Sequence, residues 1–290
     1  MVQFWDHIPD NLIAWIEKQH MFFVATSPLT GDGHVNVSPK GLTGSFHVAN
    51  KNRVWYEDLS GSGVETIAHV RENGRITVMF CAFAGPARIL RLFGRGTVHE
   101  FGTAEYDALV PPATRLSGSR AAVVVDVYKI STSCGYAVPV MDYKADRRAL
   151  LQWSDKLERL DAQFAADRTS CPSEAVSRTS AVLPVRSLKW WWAAHNTRSL
   201  DGLPGLHRAH VVDRVPRGVV RAGRDEPPSD GTVVILGNRV PKAGLGQRAG
   251  AWVLAVGGVE REEVGRMMLA FSVGVLIAAV WVRVVGGAGC

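Results

Sequence analysis

The chain has 290 residues, of which 47% are hydrophobic, and this length suffices for one large domain or two smaller ones. Its 33 Lys and Arg against 27 Asp and Glu give a formal net charge of +6. The sequence has no basic run of five or more residues and no basic stripe interleaved with aromatic residues. It therefore predicts a mixed, solvated surface and no nucleic-acid partner.

The N-terminus and the cysteines favour a cytoplasmic protein. The N-terminus has Asp6 and Asp10 and lacks a basic segment followed by an apolar stretch, so no secretory signal peptide is predicted. The four cysteines are far apart and include no CxxC pair, which is unlike a disulfide framework and typical of reduced thiols. They are Cys81, Cys134, Cys171 and Cys290.

The first half of the chain predicts a mainly β fold with flanking helices. Residues 1–20 have apolar side chains at helical spacing, with Pro9 at an early helical position. A second helix is predicted over residues 63–72. Short apolar runs separated by turn residues predict strands at 22–26, 34–38, 54–56, 76–80, 89–98 and 121–130. Strands this short and close together are typical of a small antiparallel barrel, which we place within residues 1–150.

Residues 151–206 are predicted to form an extension that packs on the barrel. Leucines and Trp153 share one side of a predicted helix over 149–166. The stretch 167–187 contains five serines and two prolines and predicts a linker. The tryptophan triplet at 190–192 is more typical of core or interface packing than of a stacking platform.

The composition changes again in residues 207–290, which contain ten Arg and one Lys and are rich in Gly and Val. We expect low order up to about residue 265, because clear periodicity is missing. Residues 267–282 carry no charge and lie between Arg266 and Arg283. A segment 267–285 would reach the length of a membrane helix, so the sequence predicts either a C-terminal membrane anchor or a buried apolar helix.

The loop Ser60-Gly61-Ser62-Gly63 follows a predicted strand and opens a predicted helix. Glycines allow close approach of backbone N–H groups, serine hydroxyls donate, and a helix N-terminus favours an anion. By itself the pattern equally fits an ordinary strand-to-helix loop with a serine cap. The phosphate interpretation therefore depends on the flanking sequence.

Four stretches carry a family resemblance: GHVNVSPKG at 33–41, WYEDLSGSGVET at 55–66, RILRLFGRGTV at 88–98 and SCGYAVP at 133–139. In this order they resemble the pyridoxamine 5'-phosphate oxidase-like family, in a fungal-type branch. The similarity covers about residues 1–150, and a weaker similarity continues to residue 206. It implies an FMN-binding split β-barrel that forms a homodimer, in which the second subunit completes the cofactor site.

The resemblance also implies a set of cofactor-binding residues. They are Lys40, Tyr56, Asp58, Gly61, Ser62, Gly63, Thr66, Arg88 and Arg91. Without the resemblance Lys40 would be taken as a surface lysine. Because Arg88 and Arg91 are an odd number of residues apart on one predicted strand, at most one of them points at a given site.

One departure from the family limits the functional expectation. The true oxidase has a basic pair after the loop serine, whereas this chain has Gly63-Val64. It also lacks the C-terminal basic and aromatic elements that hold pyridoxamine phosphate, so we do not expect oxidation of that substrate. FMN is the leading cofactor, and deazaflavin and heme, which occur in the wider superfamily, are alternatives.

The sequence thus predicts an FMN-dependent oxidoreductase acting on a small-molecule redox substrate, with no motif that identifies a general acid or base. The alternative is a non-catalytic flavin- or ligand-binding module, tethered to a membrane through residues 267–285. A third interpretation takes the residues after 206 as the product of an altered reading frame. Cys134 is predicted to be a buried structural cysteine, and the His207–His210 spacing lacks companion ligands for a metal.

Overall fold

The computed structural model of the chain describes residues 2–170 and 183–220. Within these ranges the strands are β1 (Gln3–Trp5), β2 (Met21–Thr26), β3 (Asn36–Gly41), β4 (Phe46–Asn50), β5 (Arg53–Leu59), β6 (Arg75–Cys81), β7 (Ile89–Glu100) and β8 (Ser119–Ser133). The helices are α1 (Asp10–Ile16), α2 (Glu65–Asn73), α3 (Ala104–Leu109), α4 (Ala149–Ser170) and α5 (Leu188–His195). The prediction of a mainly β fold with flanking helices is confirmed.

All the described strands belong to one antiparallel sheet, in the order β3-β2-β6-β7-β8-β5-β4, with β1 paired to β8. The sheet curls so that its edge strand β3 approaches β5. Lys40 on β3 contacts Asp58 on β5 at 2.8 Å, and the Ser45 hydroxyl donates to the Gly41 carbonyl at 2.8 Å. The first contact links the edge strand β3 to β5, and the second is local to the turn between β3 and β4. The curled sheet is the split barrel.

Strand β8 is covered on both of its faces and separates two hydrophobic clusters. Val123 and Val125 belong to the cluster inside the barrel, together with Phe22 and Phe80. Ala122 belongs to the second cluster, outside the barrel, which α2, α3 and α5 help to build. Trp192 of α5 is fully buried in this second cluster, so the packing role predicted for the tryptophan triplet is confirmed there.

The N-terminal helix is shorter than predicted. It covers Asp10–Ile16, with Pro9 as its extended N-cap, whereas Gln3–Trp5 forms a strand paired with β8. Phe4, which the sequence assigned to the apolar side of the helix, is 59% exposed. The helical spacing of apolar residues therefore predicted too long a helix. The first residues instead form backbone hydrogen bonds with β8 as a strand.

Besides the strand Gln3–Trp5, three short elements were not predicted: the strand Phe46–Asn50 and the helices Ala104–Leu109 and Leu188–His195. All have few residues and lack a long periodic run, so tertiary packing decides their structure. The helix Ala104–Leu109 is nevertheless locally well defined. Its N-cap Thr103 accepts a hydrogen bond from the Tyr106 amide, and Tyr106 is buried in the second cluster.

Residues 207–220, which the sequence assigned to the start of the weakly ordered tail, have specific partners. The buried Glu100 carboxylate accepts hydrogen bonds from the backbone N–H groups of residues 207, 208 and 209 at 2.7–2.8 Å. Arg214 forms a bidentate pair with Asp107 at 2.6 and 2.7 Å. The packed extension therefore continues to at least residue 220.

The apolar segment 267–285 lies outside the described residues. Among the residues that are described, no helix combines the length and the apolar character that a membrane crossing requires. The chain divides into a unit of residues Met1–Leu236 and a unit Gly237–Cys290, and the second unit contains no described residue.

Candidate functional site

The loop 60–64 connects β5 to α2 and is anchored at its first residue. Ser60 is fully buried, and its hydroxyl donates to the Gly118 carbonyl at 2.6 Å. Ser62, two residues later, is exposed. A Cβ atom placed on Gly61 would meet no other atom within 4 Å. The loop therefore has a fixed inner end and an open outer side.

The N-terminus of α2 has no side-chain cap. Its N-cap is Val64, whose side chain carries no acceptor. Within the described residues, no acceptor contacts the backbone N–H groups of Ser62 and Val64. Uncapped amides at a helix N-terminus attract anions. Glu65 adds a negative charge at this end, and its carboxylate accepts a hydrogen bond from the Leu200 amide at 3.2 Å.

An ionic cluster lies beside the loop and joins three strands. The Asp58 carboxylate on β5 forms two salt bridges. Its Oδ1 atom pairs with Lys40 of β3 at 2.8 Å, and its Oδ2 atom pairs with Arg120 of β8 at 2.8 Å. Arg120 also donates to the Gly63 carbonyl at 2.9 Å. Two cations and one carboxylate leave a net charge of +1. The cluster therefore connects the barrel directly to the loop. The Glu65 carboxylate, which lies against Gly63, offsets the remaining positive charge.

The Asp58 carboxyl is ionised at neutral pH. Burial would raise its pKa, but Lys40 and Arg120 outweigh this effect and lower the pKa to about 2. The two cations differ in accessibility, since the Lys40 side chain is 22% exposed and that of Arg120 is 5% exposed. Lys40 is therefore the cation of this cluster that a ligand can reach.

Tyr56 lies inside the barrel rather than at its surface. It is fully buried beside Phe22, and the Lys40 ammonium lies 5.8 Å from its ring centroid. Burial and the nearby Asp58 charge raise the pKa of the Tyr56 hydroxyl well above its ordinary value. The hydroxyl has no hydrogen-bond partner among the described residues. Its neighbour Trp55 stacks on His47 at 3.9 Å on the other side of the strand.

Thr66 belongs to a second polar network on the same edge of the barrel. Asn36 donates to the hydroxyls of Thr66 and Thr26, at 2.9 and 3.1 Å. Thr26 also contacts the Nδ1 atom of His69 at 3.0 Å. Burial lowers the pKa of His69, so this imidazole is neutral at physiological pH. The network ties β2 and β3 to the first turns of α2.

The structure therefore brings seven of the predicted residues together around the loop and the ionic cluster. These residues are Lys40, Tyr56, Asp58, Gly61, Ser62, Gly63 and Thr66. Arg88 and Arg91 are not joined to them by any contact. Arg88 lies over the Trp15 ring at 5.5 Å, and Arg91 reaches the Ser133 hydroxyl at 3.4 Å.

The extension covers the inner side of the loop with α5. The indole N–H of Trp191 and the side-chain amide of Asn196 donate to the Gly61 carbonyl, at 3.0 and 3.1 Å. The indole N–H of Trp192 donates to the Ser60 hydroxyl at 2.6 Å. Three side-chain donors from the extension thus contact the first two residues of the loop.

Arg120 and Asn196 were not predicted as site residues. Arg120 lies at the start of a strand, 62 positions from Asp58, and Asn196 follows a helix, 135 positions from Gly61. A basic residue preceding an apolar strand was the available signal for Arg120, whereas an asparagine after a helix resembles an ordinary helix end. Only the folded chain shows that both contact the loop region.

A cavity of about 410 Å³ lies elsewhere, between α4, α5 and the segment that follows residue 206. Asp161, Lys189 and His210 are among its lining residues, and none of the predicted cofactor residues lines it. No group of three or more potential metal ligands occurs among the described residues. The candidate site beside the loop is therefore separate from this cavity.

Cys134 does not have the environment expected for it. The sequence predicted a buried structural cysteine, but Cys134 is exposed and directly follows the end of β8. Cys81, by contrast, is buried, and its pKa is raised by burial. The prediction for Cys134 was wrong because the chain leaves the sheet one residue earlier.

Comparisons with known proteins identify the family. The family model described as pyridoxamine 5'-phosphate oxidase matches residues 8–134. A protein of Aspergillus flavus, the pyridoxamine 5'-phosphate oxidase family protein ustO, is 41% identical over 209 residues. The alignment covers 71% of this chain and 78% of the relative.

Two solved structures illustrate more distant similarity. HupZ of Group A Streptococcus is 19% identical with a TM-score of 0.35, covering 42% of this chain and 92% of that one. A FAD-binding protein of Mesorhizobium loti is 12% identical with a TM-score of 0.28, and the match covers 46% of this chain and 96% of that one. The alignment with the Aspergillus relative exceeds two thirds of the chain at 41% identity, and this protein therefore belongs to the pyridoxamine 5'-phosphate oxidase family.

Proposed function

We propose that this protein is a flavin-dependent oxidoreductase that binds FMN with its phosphate against the loop 60–64. The observation that carries the proposal is the combination of free loop amides with the Lys40–Asp58–Arg120 cluster beside them. Family membership supports the same cofactor class. The substrate is a small redox-active molecule, and pyridoxamine phosphate is not proposed, because Gly63-Val64 replaces the basic pair of the true oxidase.

Lys40, the loop amides and the dipole of α2 favour a phosphate at the loop. Lys40 and Arg120 exceed Asp58 by one positive charge, which the Glu65 carboxylate offsets. The Ser62 side chain is exposed at the open side of the loop. Its hydroxyl and amide can both donate, while Lys40 supplies the accessible cation. Glu65 opposes the anion, so the affinity rests on the amides and Lys40 together.

In this proposal the protein binds and orients while the cofactor performs the electron transfer. A bound flavin supplies a ring that accepts a hydride or single electrons from the substrate. Asp58 keeps Lys40 oriented across the barrel opening at 2.8 Å. Arg120 fixes the Gly63 carbonyl at 2.9 Å and thereby holds the loop against the barrel. We further propose a homodimer, because an open surface site gains enclosure from a second subunit.

The first experiment is the visible spectrum of the purified full-length protein, with the cofactor released by heat and identified by mass. Oxidised-flavin bands and an FMN mass support the proposal. Addition of NADPH or NADH followed by air then separates an enzyme from a binding module. Bleaching and reoxidation support the oxidoreductase, whereas a yellow protein that stays inert supports the non-catalytic alternative.

A variant links the cofactor to the site. Lys40→Ala removes the accessible cation and is expected to weaken FMN binding at least tenfold, about 1.4 kcal/mol. Lys51→Ala is the matched control, because Lys51 is exposed and pairs with Asp10, which belongs to neither the loop nor the ionic cluster. A colourless wild-type protein that cannot be reconstituted with FMN would refute the flavin proposal and direct attention to deazaflavin or heme.

A further inference from the structure

The extension contacts the loop peptide between Gly61 and Ser62, whose direction decides where the Ser62 N–H points. The Gly61 carbonyl receives hydrogen bonds from the Trp191 indole at 3.0 Å and the Asn196 amide at 3.1 Å. Trans peptide bonds hold C=O and the following N–H on opposite sides, and the structure has no cis peptide among its described residues. The Ser62 N–H therefore points away from α5.

This orientation is not fixed by the loop itself. Gly61 and Gly63 flank Ser62, and glycine permits backbone conformations that other residues avoid. The space around Gly61 is open, since an added Cβ would contact nothing within 4 Å. Without an external restraint, the peptide between Gly61 and Ser62 is free to rotate and present its carbonyl to the anion instead.

The donors that restrain it are held firmly. Asn196 is fully buried, and the neighbouring Trp192, also fully buried, donates to the Ser60 hydroxyl at 2.6 Å. Helix α5 is itself capped, because the Ser187 side chain accepts from the Trp190 amide and the Asp161 carboxylate accepts from the Leu188 amide at 3.0 Å. The restraint is therefore built on a packed helix rather than on a mobile side chain.

We infer that α5 of the C-terminal extension is part of the phosphate site, with Trp191 and Asn196 as positioning residues that hold the Gly61 carbonyl and turn the Ser62 N–H toward the phosphate. The inference rests on the proposed flavin binding. It assigns to the extension a role in cofactor affinity, although neither positioning residue touches the cofactor itself.

The test compares two ligands that differ only in the phosphate, FMN and riboflavin, on the full-length protein. Trp191→Phe removes the indole donor and keeps an aromatic ring, and Asn196→Leu removes the amide at similar volume. Trp190→Phe is the control, because Trp190 lies on the same helix and its ring contacts His195 instead of the loop. Flavin fluorescence gives both dissociation constants, and the unfolding midpoint confirms that each variant is folded.

The double variant Trp191→Phe/Asn196→Leu is expected to bind FMN at least tenfold more weakly than wild type, with the riboflavin constant within twofold. The control should match wild type for both ligands. Gly61→Ala in the Trp191→Phe background should recover part of the FMN affinity. Alanine fits the open space and restricts the rotation that the missing donor would otherwise allow.

Three outcomes would overturn the inference, and they separate it from the proposed function. If wild type binds FMN more tightly than riboflavin and the double variant keeps the same ratio of dissociation constants, the positioning role is wrong and the proposed flavin site is supported. If both ligands weaken equally, α5 supports the fold and not the phosphate. If wild type binds neither FMN nor riboflavin, both the proposed function and the inference are wrong.

Discussion

The buried ionic cluster makes a quantitative prediction about stability. Asp58 is 1% exposed and Arg120 is 4% exposed, and their side chains meet at 2.8 Å. Lys40, the third member, is partly solvated. The perturbation is a double-mutant cycle of Asp58→Asn, Arg120→Met and the combination. Each single substitution removes one partner from a buried pair, whereas the double substitution removes both charges.

The expected magnitudes follow from what each substitution leaves behind. Asp58→Asn leaves the buried Arg120 charge without a counter-ion, which costs about 3–5 kcal/mol of unfolding free energy. Arg120→Met leaves Asp58 paired with Lys40 at 2.8 Å, so the loss of unfolding free energy is at the lower end of this range, about 3 kcal/mol. The double variant leaves no buried unpaired charge, and its main cost is the lost bond to Gly63, about 1 kcal/mol.

The assay is urea unfolding of the full-length variants, followed by tryptophan fluorescence and far-ultraviolet circular dichroism to establish coincident transitions. The double variant is expected to be more stable than either single variant, with a coupling energy of at least about 3 kcal/mol. Single effects that add to within about 0.5 kcal/mol would refute the argument, because independent sites behave in that way.

Three further predictions concern pH, the extension and thiol exposure. The pKa of Asp58 falls to about 2 in the folded state, and this shift corresponds to roughly 2.5 kcal/mol of stability that is present above about pH 4 and is lost as the pH falls toward 2. The difference in unfolding free energy between wild type and Asp58→Asn should therefore narrow by about that amount on acid titration, and a constant difference would contradict the pKa shift. Glu100→Gln weakens the acceptor of three backbone amides at residues 207–209 and should accelerate limited proteolysis of that segment; unchanged cleavage would contradict its anchoring role. Native iodoacetamide labelling followed by peptide mapping should modify Cys134 much faster than Cys81, because one is exposed and the other buried, and equal rates would argue against this placement.

Much of the sheet was predictable because strand residues alternate between its two faces. The patterns at residues 89–98 and 121–130 predicted β7 and β8, and both strands extend a few residues beyond the predicted ends. The helix predicted at 63–72 is observed at Glu65–Asn73. The loop at a strand-to-helix junction was likewise visible in the sequence, because glycine and serine between two periodic segments mark such a connection.

The candidate site was only partly predictable, since several of its contacts join distant parts of the chain. Lys40 is 18 positions from Asp58, and Arg120 is 62 positions from it. Local patterns describe one element at a time and do not report which elements become neighbours. The resemblance assigned Arg88 to the site, but its guanidinium lies over the Trp15 ring at 5.5 Å and contacts none of the residues around the loop.

The sequence by itself determined the family, the positions of the main strands along the chain and the position of the glycine-serine loop, because motifs and periodicity are local properties. The tertiary structure decided which charges meet, that Cys134 is exposed, and that the extension reaches the loop through α5. It also decided that residues 207–209 are held by Glu100. The physical reason is that backbone amides donate these last bonds, and every residue except proline carries the same donor, so no sequence pattern marks them.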